Sequence, residues 1–217
     1  MGEAVEEFLA RPQLDRDTTH SYRQTLGRLC AELGAPVPLA SLAAIDPDPW
    51  LRAKAASNPD LSAPLLAALA DDPDSGVRTA AVGNVRLPSS LLHRLATGDP
   101  CIWVRAAAAD NPAVTVDILL ALAADEVMAV RSAAAKSAAL TAEVAVALVD
   151  DPDYRVQARL AGNLHCPPAV LATLARSRCP VQVRREVAQN PHCARALLKG
   201  LGRDRSAWVR QCAAWGQ

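Results

Sequence analysis

Asp72-Pro73-Asp74-Ser75-Gly76-Val77-Arg78, followed by Thr79-Ala80-Ala81, returns along the chain in altered but aligned copies. Anchoring each copy on the basic residue of the apolar-Arg dipeptide picks out Arg52, Arg78, Arg105, Arg131, Gln157, Arg184 and Arg210, at intervals of 26, 27, 26, 26, 27 and 26 residues. Six residues before the anchors stand Asp46, Asp72, Asp99, Asp125, Asp151, Arg178 and Asp204. Six residues after them stand Asn58, Asn84, Asn111, Ser137, Asn163 and Asn190. Seventeen residues after come Leu69, Leu95, Leu122, Leu148, Leu174 and Leu201. Columns held in register over six units identify an internal repeat, the first thing to establish in any chain.

Each unit divides into two short helices. The residue before each anchor is apolar (Leu51, Val77, Val104, Val130, Val156, Val183, Val209) and pairs at i, i+4 with Ala55, Ala81, Ala108, Ala134, Leu160, Val187 and Ala213, one buried helical face. Asp-Pro is expected to open the first helix in four units, the Asp side chain capping free N–H groups and Pro standing at the first helical position. The Asn column is expected to close it, because Asn tolerates the left-handed conformation. Leu pairs such as Leu65-Leu66 and Leu91-Leu92, with the Leu column four residues on, mark the second helix. A unit this small cannot bury its apolar face alone and must stack on its neighbours. The fold class that follows is all-α: a right-handed α-solenoid of about six and a half two-helix repeats of 26–27 residues over 46–217, preceded by an N-terminal helical cap over 1–45.

Composition agrees with that reading. The 217 residues are 51% hydrophobic but only 3% aromatic, so the core is built from Ala, Leu and Val, which suits closely spaced helices. Six cysteines (Cys30, Cys101, Cys166, Cys179, Cys193, Cys212) lie far apart and read as reduced thiols. The first ten residues hold Glu3, Glu6 and Glu7 and no basic residue, and no apolar run reaches membrane-spanning length; the expected location is cytoplasmic, away from membranes.

These residues carry a resemblance. Asp72 to Arg78 followed by Ala80-Ala81 resembles HEAT repeats, and the Asn-Pro steps (Asn58-Pro59, Asn111-Pro112, Asn190-Pro191) with a short second helix resemble the leucine-rich-repeat-variant subgroup, over about residues 46–217. The resemblance implies that the Asp and Arg columns form a ladder between units. Gln157 and Arg178 depart from it, so the ladder is expected to weaken between the fifth and sixth units. It also implies that the anchor helix lines a concave surface. Some variant-repeat proteins carry an N-terminal iron–sulfur module, but clustered cysteines are lacking in this sequence and none is transferred.

Residues 1–45 stand outside the repeat. Thr18-Thr19 can cap a helix carrying Tyr22, Leu26, Leu29 and Leu33, closed by Gly34, and an earlier helix holds Val5, Phe8 and Leu9. A hairpin covering the open end of the array is one reading. The string from Phe8 through Thr18, Thr19, Tyr22, Leu26 and Leu29 also resembles the first hairpin of the SAM-like core-binding domain of tyrosine recombinases, which implies DNA contact without recombination chemistry, since no catalytic domain follows.

His165-Cys166 and His192-Cys193 are identical dipeptides 27 residues apart and could suggest zinc. The Cys column, however, runs Leu61, Leu87, Val114, Leu140, Cys166, Cys193, so buried Cys beside outward His is the expectation and no metal is assigned. Carboxylates recur at helix starts and do not converge, and the ten glycines form no phosphate loop. An enzyme is not expected, nor a cofactor.

Charge is unevenly spread although 23 basic residues balance 23 acidic ones. Residues 1–45 have four basic and six acidic residues (−2), 46–175 ten and fifteen (−5), and 176–217 nine and two (+7). Outward positions of the anchor helix lie two before, and one, two and five after, the anchor. They are mostly small in early units and become Arg155, Arg159, Arg185, Gln189, Trp208, Gln211 and Trp215 later. Large hydrogen-bonding and aromatic residues at one end of a groove suit a binding surface; alternatively, Trp208 and Trp215 cover the terminal unit. The reading is a non-catalytic helical-repeat scaffold that binds a protein or peptide partner in its groove. The alternative is DNA binding through the basic C-terminal end and the N-terminal hairpin.

Overall fold

The computed structural model describes residues 44–215, so the expected hairpin over 1–45 lies almost wholly outside the described residues. Among the described residues there are thirteen helices and no strand. In chain order they are α1 (Pro49–Ala56), α2 (Ala63–Leu69), α3 (Ser75–Gly83), α4 (Ser89–Gly98), α5 (Ile102–Ala108), α6 (Val116–Ala123), α7 (Met128–Lys136), α8 (Ala142–Leu148), α9 (Tyr154–Gly162), α10 (Pro168–Leu174), α11 (Val181–Gln189), α12 (Arg195–Leu201) and α13 (Ala207–Trp215). Odd-numbered helices carry the anchors and even-numbered helices the Leu column.

Backbone contacts divide the chain into two bodies, 1–86 and 87–217. In the described part of the first, α1 packs on α3, with α2 against both. In the second, anchor helices pack in succession (α5 on α7, α7 on α9, α9 on α11, α11 on α13), and the intervening helices fill the spaces beside them. Helix pairs stacked on their sequence neighbours form an α-solenoid. No described helix is long and apolar enough to cross a membrane.

The core follows the periodicity. Every apolar residue before an anchor, every i+4 partner and every member of the Leu column is buried. Ala55, Ala81, Ala108, Ala134 and Ala213 let anchor helices approach closely, and Leu160 and Val187 fill the same place in α9 and α11.

Two expectations about helix ends need correction. The Asp-Pro dipeptides precede the first helix instead of opening it: Pro47, Pro73, Pro100 and Pro152 all lie outside the helices that follow. Each column Asp accepts the amide two residues on, as in Asp48 N to Asp46 Oδ1 (2.8 Å), Asp74 N to Asp72 Oδ1 (2.9 Å) and Ser206 N to Asp204 Oδ1 (2.8 Å), an Asx turn. The caps are residues further on, Asp48, Asp74 and Asp153, whose carboxylates accept from Trp50, Gly76 and Arg155 amides. Nor does the Asn column use left-handed backbone. Asn84, Asn163 and Asn190 are extended, with φ of −75°, −73° and −71°.

The Asn residues are there for their side chains. Asn84 Nδ2 donates to Ala56 O (2.7 Å) and Asn58 O (2.9 Å), one unit back. Asn163 does the same to Ala135 O (2.9 Å) and Ser137 O (2.8 Å), and Asn190 to Ala161 O (2.7 Å) and Asn163 O (2.9 Å). Each Oδ1 accepts the amide two residues ahead, from Arg86, His165 and His192. A primary amide has two donors and an acceptor in one plane, enough to close the end of one unit and its own turn at once. Ser137, shorter, makes a single backward bond to Ala109 O (2.6 Å).

A second ladder joins the anchors to the Asp column of the next unit. Arg52 forks onto Asp72 (2.7 and 3.0 Å), Arg105 onto Asp125 (2.7 and 3.0 Å), Arg131 onto Asp151 (2.6 and 3.2 Å) and Arg184 onto Asp204 (2.7 and 2.9 Å). Bidentate guanidinium–carboxylate pairing has the fixed geometry such a rung requires. Gln157 instead donates to Asp151 O (3.1 Å) and Val149 O (3.2 Å) and reaches no carboxylate. Arg178, where the matching Asp would stand, is 65% exposed and 3.9 Å from Asp150. The residue two beyond it is Pro180, which has no N–H, so the Asx turn loses acceptor and donor together.

Candidate functional site

An open groove of about 860 Å³ crosses three anchor helices of the second body, α7, α9 and α11. The ladders and the buried Val column fix these helices, and the outward positions are left to face the groove. Arg155, Arg159 and Arg185 of the expected binding set line it, with Lys136, Tyr154 and Glu186. At Gly162 an added Cβ would meet Glu186 Oε2 at 3.4 Å, so the absence of a side chain keeps the floor open between α9 and α11.

The groove cations differ in how far they are committed. Arg155 binds Asp153 through Nε (3.0 Å) and Nη2 (2.7 Å), and these bonds together with the Arg155 amide hold the Asp153 carboxyl at about 2. Arg185 is ion-paired with Glu186, and its guanidinium lies over the Trp208 ring, 4.4 Å from the centroid, a cation–π contact. Its Nε is buried and has no hydrogen-bond partner in the protein. Arg159 and Lys136 are exposed and form no ion pair among the described residues.

The remaining expected residues lie on the face of α11 and α13. Gln189 Nε2 sits 3.5 Å from the Cys212 sulfur, Gln211 is exposed, Trp208 is 50% exposed beneath Arg185, and Trp215 is 78% exposed at the end of the last helix. None of the four lines the groove. Lys136 and Tyr154 were missed as groove residues. Lys136 occupies one of the outward positions, five after its anchor, so register alone could have found it. Register also holds another signal: Trp50, Trp103 and Trp208 all stand two before their anchors, and all are exposed.

Cys166 and Cys193 are buried, and His165 and His192 are exposed, so each dipeptide splits between core and solvent. Burial pushes the Cys166 thiol up to about 12 and raises Cys193 as well. Among the described residues, no group of three His, Cys, Asp or Glu is placed to hold a metal.

The unit built by these ladders can now be compared with known families. Residues 49–74 match the leucine rich repeat variant. That stretch runs from the start of α1 through α2 into the Asx turn of the next unit, one full period of the helical repeat described above. Its variant-type Arg52–Asp72 rung lies within the matched stretch, and the same rung recurs at Arg105, Arg131 and Arg184. No curated protein matches the chain.

Proposed function

We propose that this leucine-rich-repeat-variant solenoid is a non-catalytic scaffold that binds a protein or peptide partner in the groove over α7, α9 and α11. The observation that carries the reading is the change of side chain at a fixed register. Two after the anchor stand Ala80, Ala107 and Ala133 in three successive units, but Arg159 in the fifth; one after it stand Ala106, Ser132 and Ala158, but Arg185 in the sixth. A purely structural stack has no use for such a change, because these positions face outward. Repeat arrays use their extended faces for binding in this way. Gln189, Trp208, Gln211 and Trp215 extend the surface toward the C-terminal end.

The test is capture of partners from the native cell on the full chain and on Arg159→Glu with Arg185→Glu. Loss of the captured proteins from the double variant, with circular dichroism unchanged, supports the groove; identical capture rejects it. DNA binding remains the second reading, favoured by the +7 balance of residues 176–217. It requires duplex binding at about 50 mM salt that falls steeply as salt rises.

A further inference from the structure

We propose that the groove selects an acidic protein segment in extended, polyproline-II-like conformation, with a carboxylate at every third residue. The inference rests on the groove reading above and specifies the chemistry of the partner.

Charge is the first argument. Lys136, Arg155, Arg159 and Arg185 are drawn from three successive anchor helices, and the groove lining contains one acidic side chain, Glu186. Arg155 and Arg185 already hold carboxylates of their own, whereas Arg159 and Lys136 hold none among the described residues. The buried Nε of Arg185 is a further unused donor, turned away from water. A guanidinium gains most from a planar carboxylate that it can fork, and here the fork is pre-aimed by stacking on Trp208.

Spacing is the second argument. Packed helices stand about 8–10 Å apart, so cations on successive anchor helices repeat at about that step. In a β-strand, residues three apart face opposite sides, and residues two apart advance only about 6.6 Å, too short for the step. A polyproline-II segment turns once per three residues and rises about 3.1 Å per residue, returning a side chain to one face every 9.3 Å. That period matches the helix step. Tyr154, half exposed on the groove rim, supplies the aromatic surface against which such segments pack.

The acidic body around the groove argues for a short segment over duplex DNA. Residues 46–175 carry five more acidic than basic residues, and Asp150 and Asp153 flank the cations directly. A duplex extending past the groove on both sides would meet that repulsion; a peptide of about a dozen residues would not.

The experiment is a fluorescence-anisotropy titration of the full chain with labelled (Glu-Pro-Pro)4 and its neutral counterpart (Gln-Pro-Pro)4. Expected is binding of the Glu peptide at least tenfold tighter than the Gln peptide, weakened at least fivefold by Lys136→Gln with Arg159→Gln. The proposal is overturned if both peptides bind equally, if neither binds, or if the double variant leaves the affinity unchanged. It is overturned equally if a twelve-base-pair duplex displaces the peptide at lower concentration than the unlabelled peptide does, which assigns the groove to nucleic acid. Partner capture that still depends on Arg159 and Arg185 would then show that the groove reading survives while the acidic chemistry fails.

Discussion

Asn163 holds three hydrogen bonds from a buried position at the junction of α9 with its loop, and two of them close carbonyls of the preceding unit. Asn163→Ala leaves Ala135 O and Ser137 O without that donor in a place water does not reach. A loss of about 2–4 kcal/mol is expected in urea unfolding, from the cost of buried unpaired carbonyls. Asn163→Ser should lose less, because Ser137 shows that a hydroxyl at this column still makes one backward bond. Cys166 gives a second check at the same scale. Burial raises its thiol far above neutral pH, so it should resist a thiol reagent at pH 8 in the folded chain, and react only on unfolding. Rapid labelling of Cys166 in the native state would contradict its place in the core. The two residue types were unequally legible. Cys166 sits in a column of Leu and Val, and its burial followed from company alone. The Asn column was plain in register, but its chemistry was not. Recurrence does not reveal a bond reaching back 26 to 28 residues, and the backbone preference of Asn suggested the wrong role.

Between the fifth and sixth units the missing rung concentrates three changes, Gln157, Arg178 and Pro180, in one place. Gln157→Arg alone would set a guanidinium against Arg178 and should not stabilise. Gln157→Arg with Arg178→Asp should rebuild the fork seen at Arg131 and Asp151 and raise stability by about 0.5–2 kcal/mol. The rung on the next junction is the opposite case. Arg184 is only 1% exposed, and Asp204→Asn leaves its charge without a counter-ion, costing about 3 kcal/mol in denaturant unfolding. Acid should act through the same rungs. Hydrogen bonds from Arg52 and Arg184 lower the carboxyls of Asp72 and Asp204 below their ordinary 3.8. A carboxyl lowered by folding contributes stability that is complete above the unfolded value and lost as pH falls through the folded one. Melting temperature should therefore hold constant from pH 8 to 5 and fall only below about pH 4. A decline beginning near pH 6 would point to another group. The break in the ladder was readable in advance because Gln157 and Arg178 depart from columns that are otherwise uniform. The helix starts were not, since Asp46 and Asp48 are both good caps, and the Asx turn shifts the helix two residues on.

In the molecule as a whole, contacts are made between sequence neighbours, so stability is distributed as a sum of units and junctions. Within residues 87–215 the weakest junction should be the one lacking its rung. Amides of α11 to α13 should then exchange through smaller openings than those of α5 to α8, and the rebuilt Gln157→Arg with Arg178→Asp pair should narrow the difference. Uniform exchange across the body would mean that the Asn163–Asn190 bonds alone hold that junction. The groove that carries the proposed function spans the same junction, with Arg159 before it and Arg185 after it. The outward face could be assigned from periodicity. The groove itself needed the structure, because its depth depends on the missing side chain at Gly162 and on the stacking of Arg185 over Trp208. The most direct test is hydrogen exchange of the full chain with and without its captured partner. Protection is expected in residues 128–136, 154–165 and 181–186. Protection confined to α8, α10 and α12, with those three stretches unchanged, would contradict it.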